Sequence, residues 1–201
     1  MSPIPENCVL LLRHAETALN SAGRLRGRLD PPLDAAGERE AAELARTIAA
    51  FGPRRIVSSP LQRATATVAP LAELTGVPVA NDRRLIDRDY GQWAGQAQPD
   101  AEAQWGSLDR APGVEPRDDV TRRMLEVLNE QWDEARAGPV VLISHDATNS
   151  ALLAALNPAL GEPQTITQHT ACWNMLHHRP DSGWVIDLVN QVAGAAPAPS
   201  S

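Results

Sequence analysis

The chain has 201 residues, 43% of them apolar and 21% charged, an ordinary balance for a globular protein that excludes collagen-like, coiled-coil and wholly disordered chains. A chain of this length buries roughly 70% of its unfolded surface, so neither a disulfide nor a metal is needed for folding. The formal net charge of −7 speaks against nonspecific nucleic-acid binding, which draws on surplus cation to neutralise phosphates.

Cys8–Leu12 is a continuous apolar run that stops at Arg13-His14, as expected of a strand covered on both faces in a parallel sheet. Asp34 to Phe51 follows with Ala41, Leu44, Ile48 and Phe51 on one helical stripe, and with Asp34 as N-cap. A short strand is expected at Arg55–Val57. A helix follows from Pro60 to Thr75, opened by its proline and kinked at Pro70. After a strand at Pro78–Ala80, a Gly/Gln/Pro-rich stretch from Gly91 to Glu115 carries Trp93 and Trp105. It reads either as a lid that contacts a ligand or as core filler. Asp118 to Ala137 is helical, with Met124, Leu128 and Trp132 on its stripe, and stops at Gly138-Pro139. Val140–Ile143 is a second apolar strand, ending in Ser144-His145. A helix from Thr148 to Leu156 follows, for which Asp146 is a candidate N-cap. Ala171–His177 and Trp184–Leu188 form a hairpin across Arg179-Pro180-Asp181-Ser182-Gly183. Trp132 and Trp173 are assigned to the core; His169, His177 and His178 to the surface. The alternation of β and α implies an α/β sandwich closed by an antiparallel strand. No repeat or linker divides residues 1–192, which are read as one domain, with 193–201 as a flexible tail.

All 18 basic residues are arginine, which excludes Schiff-base lysine chemistry and a P-loop lysine. Cys8 and Cys172 sit in apolar runs and read as small buried hydrophobes, and no Cys/His spacing suggests zinc. The opening MSPIPENC has no basic n-region, and no apolar run approaches a membrane span. A reducing, cytoplasmic setting is therefore expected, with no membrane partner.

In open α/β sheets ligands gather beyond the carboxyl ends of the strands. His14 and His145 each follow such a strand, and parallel pairing would bring both imidazoles to one sheet edge. Arg13, Arg24, Arg26 and Arg28 crowd the segment after the first strand despite the acidic total. They read either as a solvated face paired with Glu16 and Asp30 or as an anion pocket, since arginine's planar fork grips phosphate oxygens.

These residues resemble the histidine phosphatases, the phosphoglycerate mutase-like superfamily. Arg13-His14-Ala15-Glu16-Thr17 is similar to its R-H-G-E-[ST] signature, and Asn20 and the loop Arg24-Leu25-Arg26-Gly27 follow in order. Leu33–Gly37 resembles P-L-T-x-x-G, and Ser58–Thr65 resembles the segment that bears the second phosphate arginine, here Arg63. Leu85–Gly95 is similar to L-x-E-x-x-F-G-x-W-E-G, and Ser144-His145-Asp146 stands in place of S-H-G. The resemblance implies a three-layer α/β/α sandwich with a six-stranded mixed sheet and one antiparallel strand. It implies a phosphomonoesterase for a small-molecule phosphate ester, with no cofactor and no metal. His14 would be the phosphorus nucleophile, its other ring nitrogen donating to a nearby carbonyl. Arg13, Arg63 and His145 would clamp the phosphoryl oxygens, with Asn20, Gly27 and Asp146 adding to the substrate site. Arg26, where phosphatases commonly carry glutamine, would contact a second anionic group.

Three departures qualify the match. Ala15 replaces a glycine, tolerable if its φ is negative. Asp87 replaces the glutamate that protonates the leaving oxygen, and Asp146, which resembles the proton donor of the acid phosphatase branch, is its rival. Asp87 is preferred because the surrounding frame is in register. Two alternatives stand beside hydrolysis: a phosphoglycerate mutase, disfavoured by the short span between Asp87 and His145, and a catalytically impaired phosphate-binding protein. The assembly is expected to be a monomer or a homodimer.

Overall fold

The computed structural model describes residues 8–193. All but the first residue of the expected tail at 193–201 lies outside them.

Six strands form one sheet: β1 (Cys8–Arg13), β2 (Arg55–Ser58), β3 (Val79–Asn81), β4 (Val140–Ser144), β5 (Trp173–Arg179) and β6 (Gly183–Gln191), in the order β3-β2-β4-β1-β5-β6. β3, β2, β4 and β1 run parallel, and β5 is antiparallel to both of its neighbours. β5 is thus the single reversed strand.

Successive side chains of a strand point to opposite faces, so the fully buried β1 feeds two cores. Cys8, Leu10 and Leu12 pack with Ala41, Leu44 and Ile48 of α2 (Ala35–Ala49) and with Val68 and Leu71 of α3 (Gln62–Thr75). Val9 and Leu11 pack with Met124 and Leu128 of α5 (Arg117–Glu130) and with Leu152 and Leu153 of α7 (Asp146–Leu156). The expected three-layer sandwich is present, and Asp34 caps α2 by accepting from the backbone N–H groups of Ala36 and Gly37. Short helices α1 (Ala18–Ser21) and α4 (Gln98–Trp105), absent from the sequence reading, lie in the connections at the carboxyl end of the sheet.

Several boundaries differ from expectation. α3 starts at Gln62, after Pro60, because Leu61 is still extended, and it continues through Pro70. The long helix breaks at Gln131, where an i→i−3 bond to the Leu128 carbonyl tightens the last turn, and resumes as α6 (Trp132–Ala135). Beyond that break Trp132 lies half-buried, packed against the rim of the core with its ring centroid 3.9 Å from that of His178. His178 and His177 are half-buried rather than fully exposed: the first lies tilted against Trp132 and edge-on to Trp184, and the second is held by Asp187. His169 is exposed as expected, Trp173 is buried in the core, and Cys8 and Cys172 are buried and unpaired. α7 starts earlier than expected, at Asp146, so His145 holds the N-cap position and Asp146 does not. Among the described residues, no helix is long and apolar enough to cross a membrane.

Gly37 explains the L-D-A-A-G motif. A Cβ there would meet the carbonyl oxygen of Glu16 at 2.1 Å, so α2 can lie against the loop after β1 only with a glycine in its first turn. Gly37→Ala should cost about 1–3 kcal/mol through this overpacking, read as a lower urea midpoint; an unchanged midpoint would mean that the loop yields freely.

Candidate active site

Parallel pairing of Arg13 with Ser144 sets the residues that follow, His14 and His145, side by side at the carboxyl edge of the sheet. Their ring centroids are 5.1 Å apart, and both residues are wholly buried. His14 is locked by main-chain bonds from its N–H to the Ser144 carbonyl and from the Ala171 N–H to its own carbonyl. Its Nδ1 lies 2.7 Å from the Ala15 carbonyl oxygen. A carbonyl only accepts, so Nδ1 carries the hydrogen and Nε2 keeps a free lone pair. Ala15 stays out of the left-handed region and donates its N–H to Thr67 Oγ1, which is why alanine is tolerated there.

The arginines are held from behind. Arg63, fully buried, donates to the carbonyls of Leu29 at 2.6 Å and Gly27 at 2.9 Å and to Asp87 Oδ2 at 3.0 Å. Gly27 has φ +51° and lies against Tyr90 and the Arg88 carbonyl, where a side chain has no room, and its contribution is a carbonyl turned to Arg63. Arg13 is fixed by the Gln168 carbonyl and by Asp146 Oδ2, the latter at 3.4 Å. Arg26 donates to the Arg24 carbonyl at 3.3 Å. His145 Nε2 bonds Ser59 Oγ at 2.8 Å.

What these contacts leave free is the main feature of the site. Nε of Arg13, Arg26 and Arg63, Nε2 of His14 and Nδ1 of His145 are all buried without a hydrogen-bond partner. A buried polar group left unsatisfied costs about 1–3 kcal/mol, so folded chains rarely concentrate them without a ligand to receive them. Burial and the nearby Arg63 hold both imidazoles well below the usual histidine range, and Arg26 acts on them in the same direction. The site therefore combines neutral imidazoles with three guanidinium groups, a combination suited to an oxyanion.

Asp87 lies inside this cluster. It is 1% exposed, accepts from the Arg88 N–H at 2.8 Å and from Arg63, and has Oδ2 4.0 Å from His145 Nδ1. Burial pushes its carboxyl upward against the opposing pull of Arg63 and Arg26. Asp146 is a different kind of group, with its side chain 40% exposed and paired to Arg13. Asn20 turns its amide oxygen back to the N–H and hydroxyl of Thr17, where it holds the loop behind His14.

Beside the cluster opens a cavity of about 400 Å³ whose wall includes Arg24, Arg26, Arg88, Tyr90, Arg117 and Asp146. The segment between Gly91 and Glu115 does line this space, through Gln98 and Leu108. Its tryptophans take no part: Trp93 packs with Leu25, Tyr90 and Leu108, and Trp105 is 39% exposed. Sequence reasoning missed Ser59, Thr67, Glu115 and Arg123. The first lies in the Ser-Ser-Pro motif yet carries no charge to draw notice, and the last two lie outside every motif.

The model of the histidine phosphatase superfamily, branch 1, matches residues 9–192. The chain belongs to that superfamily. A protein of Mycolicibacterium vanbaalenii named glucosyl-3-phosphoglycerate phosphatase is 36% identical, over 88% of this chain and 82% of the relative. A solved structure of mycobacterial glucosyl-3-phosphoglycerate phosphatase with inorganic phosphate is 30% identical, with a TM-score of 0.79, and covers 94% of this chain and 100% of that one. A second solved structure, called mycobacterial hydrolase 1, is 31% identical with a TM-score of 0.82, and covers 93% of this chain and 99% of that one. The expectation of an enzyme that hydrolyses phosphate monoesters stands with these relatives.

The lowered imidazoles give this histidine phosphatase a pH signature. As pH falls below about 6.5 the unfolded chain takes up protons on His14 and His145 that the folded chain refuses, so their contribution to stability is lost with acidification. Asp87 acts oppositely: its raised pKa adds stability in acid that is lost as pH rises from about 4 through its folded value. The urea midpoint should therefore fall between about pH 7 and about pH 5.5, and the double variant His14→Asn, His145→Gln should flatten that slope. A slope unchanged by the two substitutions would show that other groups set it.

Proposed function

We propose that this chain hydrolyses phosphate monoesters through a phosphohistidine on His14. The observation that carries the reading is the set of buried, unpartnered donors on Arg13, Arg26, Arg63 and His145 in the neighbourhood of His14, whose Nε2 keeps a free lone pair. In the first step Nε2 forms a bond to phosphorus as the ester P–O bond breaks, and Asp87 gives its proton to the departing oxygen. In the second, water attacks the phosphohistidine, the Asp87 carboxylate takes a proton from it, and inorganic phosphate leaves with His14 restored. The three guanidiniums meet the charge on the equatorial oxygens, which is where most of the catalytic effect in phosphoryl transfer resides. With the Ser59 hydroxyl donating to Nε2 of His145, its Nδ1–H becomes a further donor to the same oxygens.

Asp87 is favoured over Asp146 as the proton donor. Burial pushes the Asp87 carboxyl upward, toward the range where it can hold a proton to give, whereas Asp146 is open to water and engaged with Arg13. The cavity suits a leaving group that carries a second anion and hydroxyls, since Arg26, whose Nε is without a partner, is part of its wall. Glucosyl-3-phosphoglycerate, the compound in the relatives' name, has that composition and is the first substrate to assay. A cytoplasmic setting suits the thiols of Cys8 and Cys172, unpaired and pushed up by burial to about 11 and about 12.

His14→Ala should abolish both phosphate release and acid-labile phosphoryl labelling of the protein; retained labelling would remove His14 as nucleophile. Asp87→Asn should lower kcat on alkyl phosphates by on the order of 10²–10⁴ and act far less on p-nitrophenyl phosphate, whose leaving group needs little protonation. Equal losses on both substrates would move the acid role to Asp146.

A further inference from the structure

We infer that Arg123 and Glu115 form a bracket that sets the reach of Asp87, making them positioning residues for proton delivery. The inference rests on the assignment of Asp87 as the acid, but its observations are separate from those behind that assignment. Arg123, on α5, has a side chain only 12% exposed, and it does not line the cavity. Its guanidinium donates to the carbonyls of Arg84, of Ile86 at 2.6 Å and of Asp87 at 3.3 Å. Ser144 Oγ takes the carbonyl between them, that of Leu85, at 2.7 Å. Four consecutive carbonyls of the acid-bearing segment are thus gripped by side chains of α5 and β4.

Glu115 holds the far side. Its carboxylate accepts from Arg123 Nε at 3.0 Å and Nη2 at 3.1 Å, and also from the Asp89 N–H at 3.0 Å. Its own main chain exchanges two further bonds with the segment, from the Glu115 N–H to the Asp89 carbonyl and from Arg88 Nε to the Glu115 carbonyl, both at 2.8 Å. The backbone of Asp87 is consequently fixed before and after its side chain.

The shorter carboxylate explains why such fixing matters here. Aspartate has one methylene less than the glutamate that the family signature carries at this place, and so one fewer torsion with which to correct its position. For an aspartate, the location of the backbone decides where the proton is presented. A misplacement on the order of 1 Å can lower a rate about 10²-fold. The bracket does for Asp87 what the extra torsion does for a longer acid.

The test compares two substrates. Arg123→Met keeps the buried stem and removes the donors. It should lower kcat on glycerol 3-phosphate by about 10–100-fold while changing kcat on p-nitrophenyl phosphate, and KM for both, by no more than about twofold. Adding Asp87→Glu to that variant should restore much of the lost alkyl phosphate turnover, because the longer side chain regains reach. Glu115→Gln should show the same selective loss in milder form and serves if Arg123→Met does not fold. Equal losses on both substrates, no loss on either, or no rescue by Asp87→Glu would each overturn the bracket. A selective loss in Asp87→Asn with none in Arg123→Met would overturn it alone. The absence of a selective loss in Asp87→Asn would overturn the acid assignment and the bracket together.

Discussion

The site depends on one pairing, that of β1 with β4. Two strands distant in sequence run parallel and in a register that sets Arg13 opposite Ser144, and the residue after each is a histidine. Once the register is fixed, the distance between the two imidazoles is fixed too, because neither ring lies on a loop free to move away. A slip of one residue would turn the apolar side chains of β1 to the wrong cores, so the packing of both layers enforces the geometry of the chemistry. Stability and function share the same constraint.

The donors that converge at this edge are kept in place by groups that do not compete for their free faces. Backbone carbonyls of Gly27, Leu29 and Gln168 hold the guanidiniums from behind, and the Ala15 carbonyl decides which nitrogen of His14 bears a hydrogen. Carbonyls suit this task. They fix direction without adding a negative charge that would neutralise the cradle, and among the described residues only Asp87 and Asp146 bring carboxylates against the two motif arginines. Orientation of this kind, set before any ligand arrives, reduces the reorganisation that the reaction must drive.

Much of this arrangement could be read from the chain alone, and the reasons are local. Continuous apolar runs at Cys8–Leu12 and Val140–Ile143 suit strands covered on both faces, and a polar residue type at the end of each run marks the sheet edge. The arginines and histidines were conspicuous because burying them demands a purpose. The parts that escaped depend on long-range contact. Arg123 looks like any cation on the outer face of a helix until the segment at Arg84–Asp87 folds against it. The helix that carries Trp132 breaks at Gln131, a boundary that no proline or glycine announces. Asp146 satisfies the composition of a helix cap, yet the helix reaches one residue further and makes His145 the boundary instead. Spacing specifies a face of a helix; it does not specify where the helix ends or what arrives against it.

The ion pair between Arg63 and Asp87 carries a last consequence. One guanidinium serves both the oxyanion cradle and the buried carboxylate, so the two functions draw on a single charge. An anion seated against Arg63 screens that charge from Asp87, and the carboxyl then holds its proton more tightly. By thermodynamic reciprocity, a protonated Asp87 leaves Arg63 freer to bind the anion. On the proposed mechanism, occupancy and acidity are therefore linked within one contact.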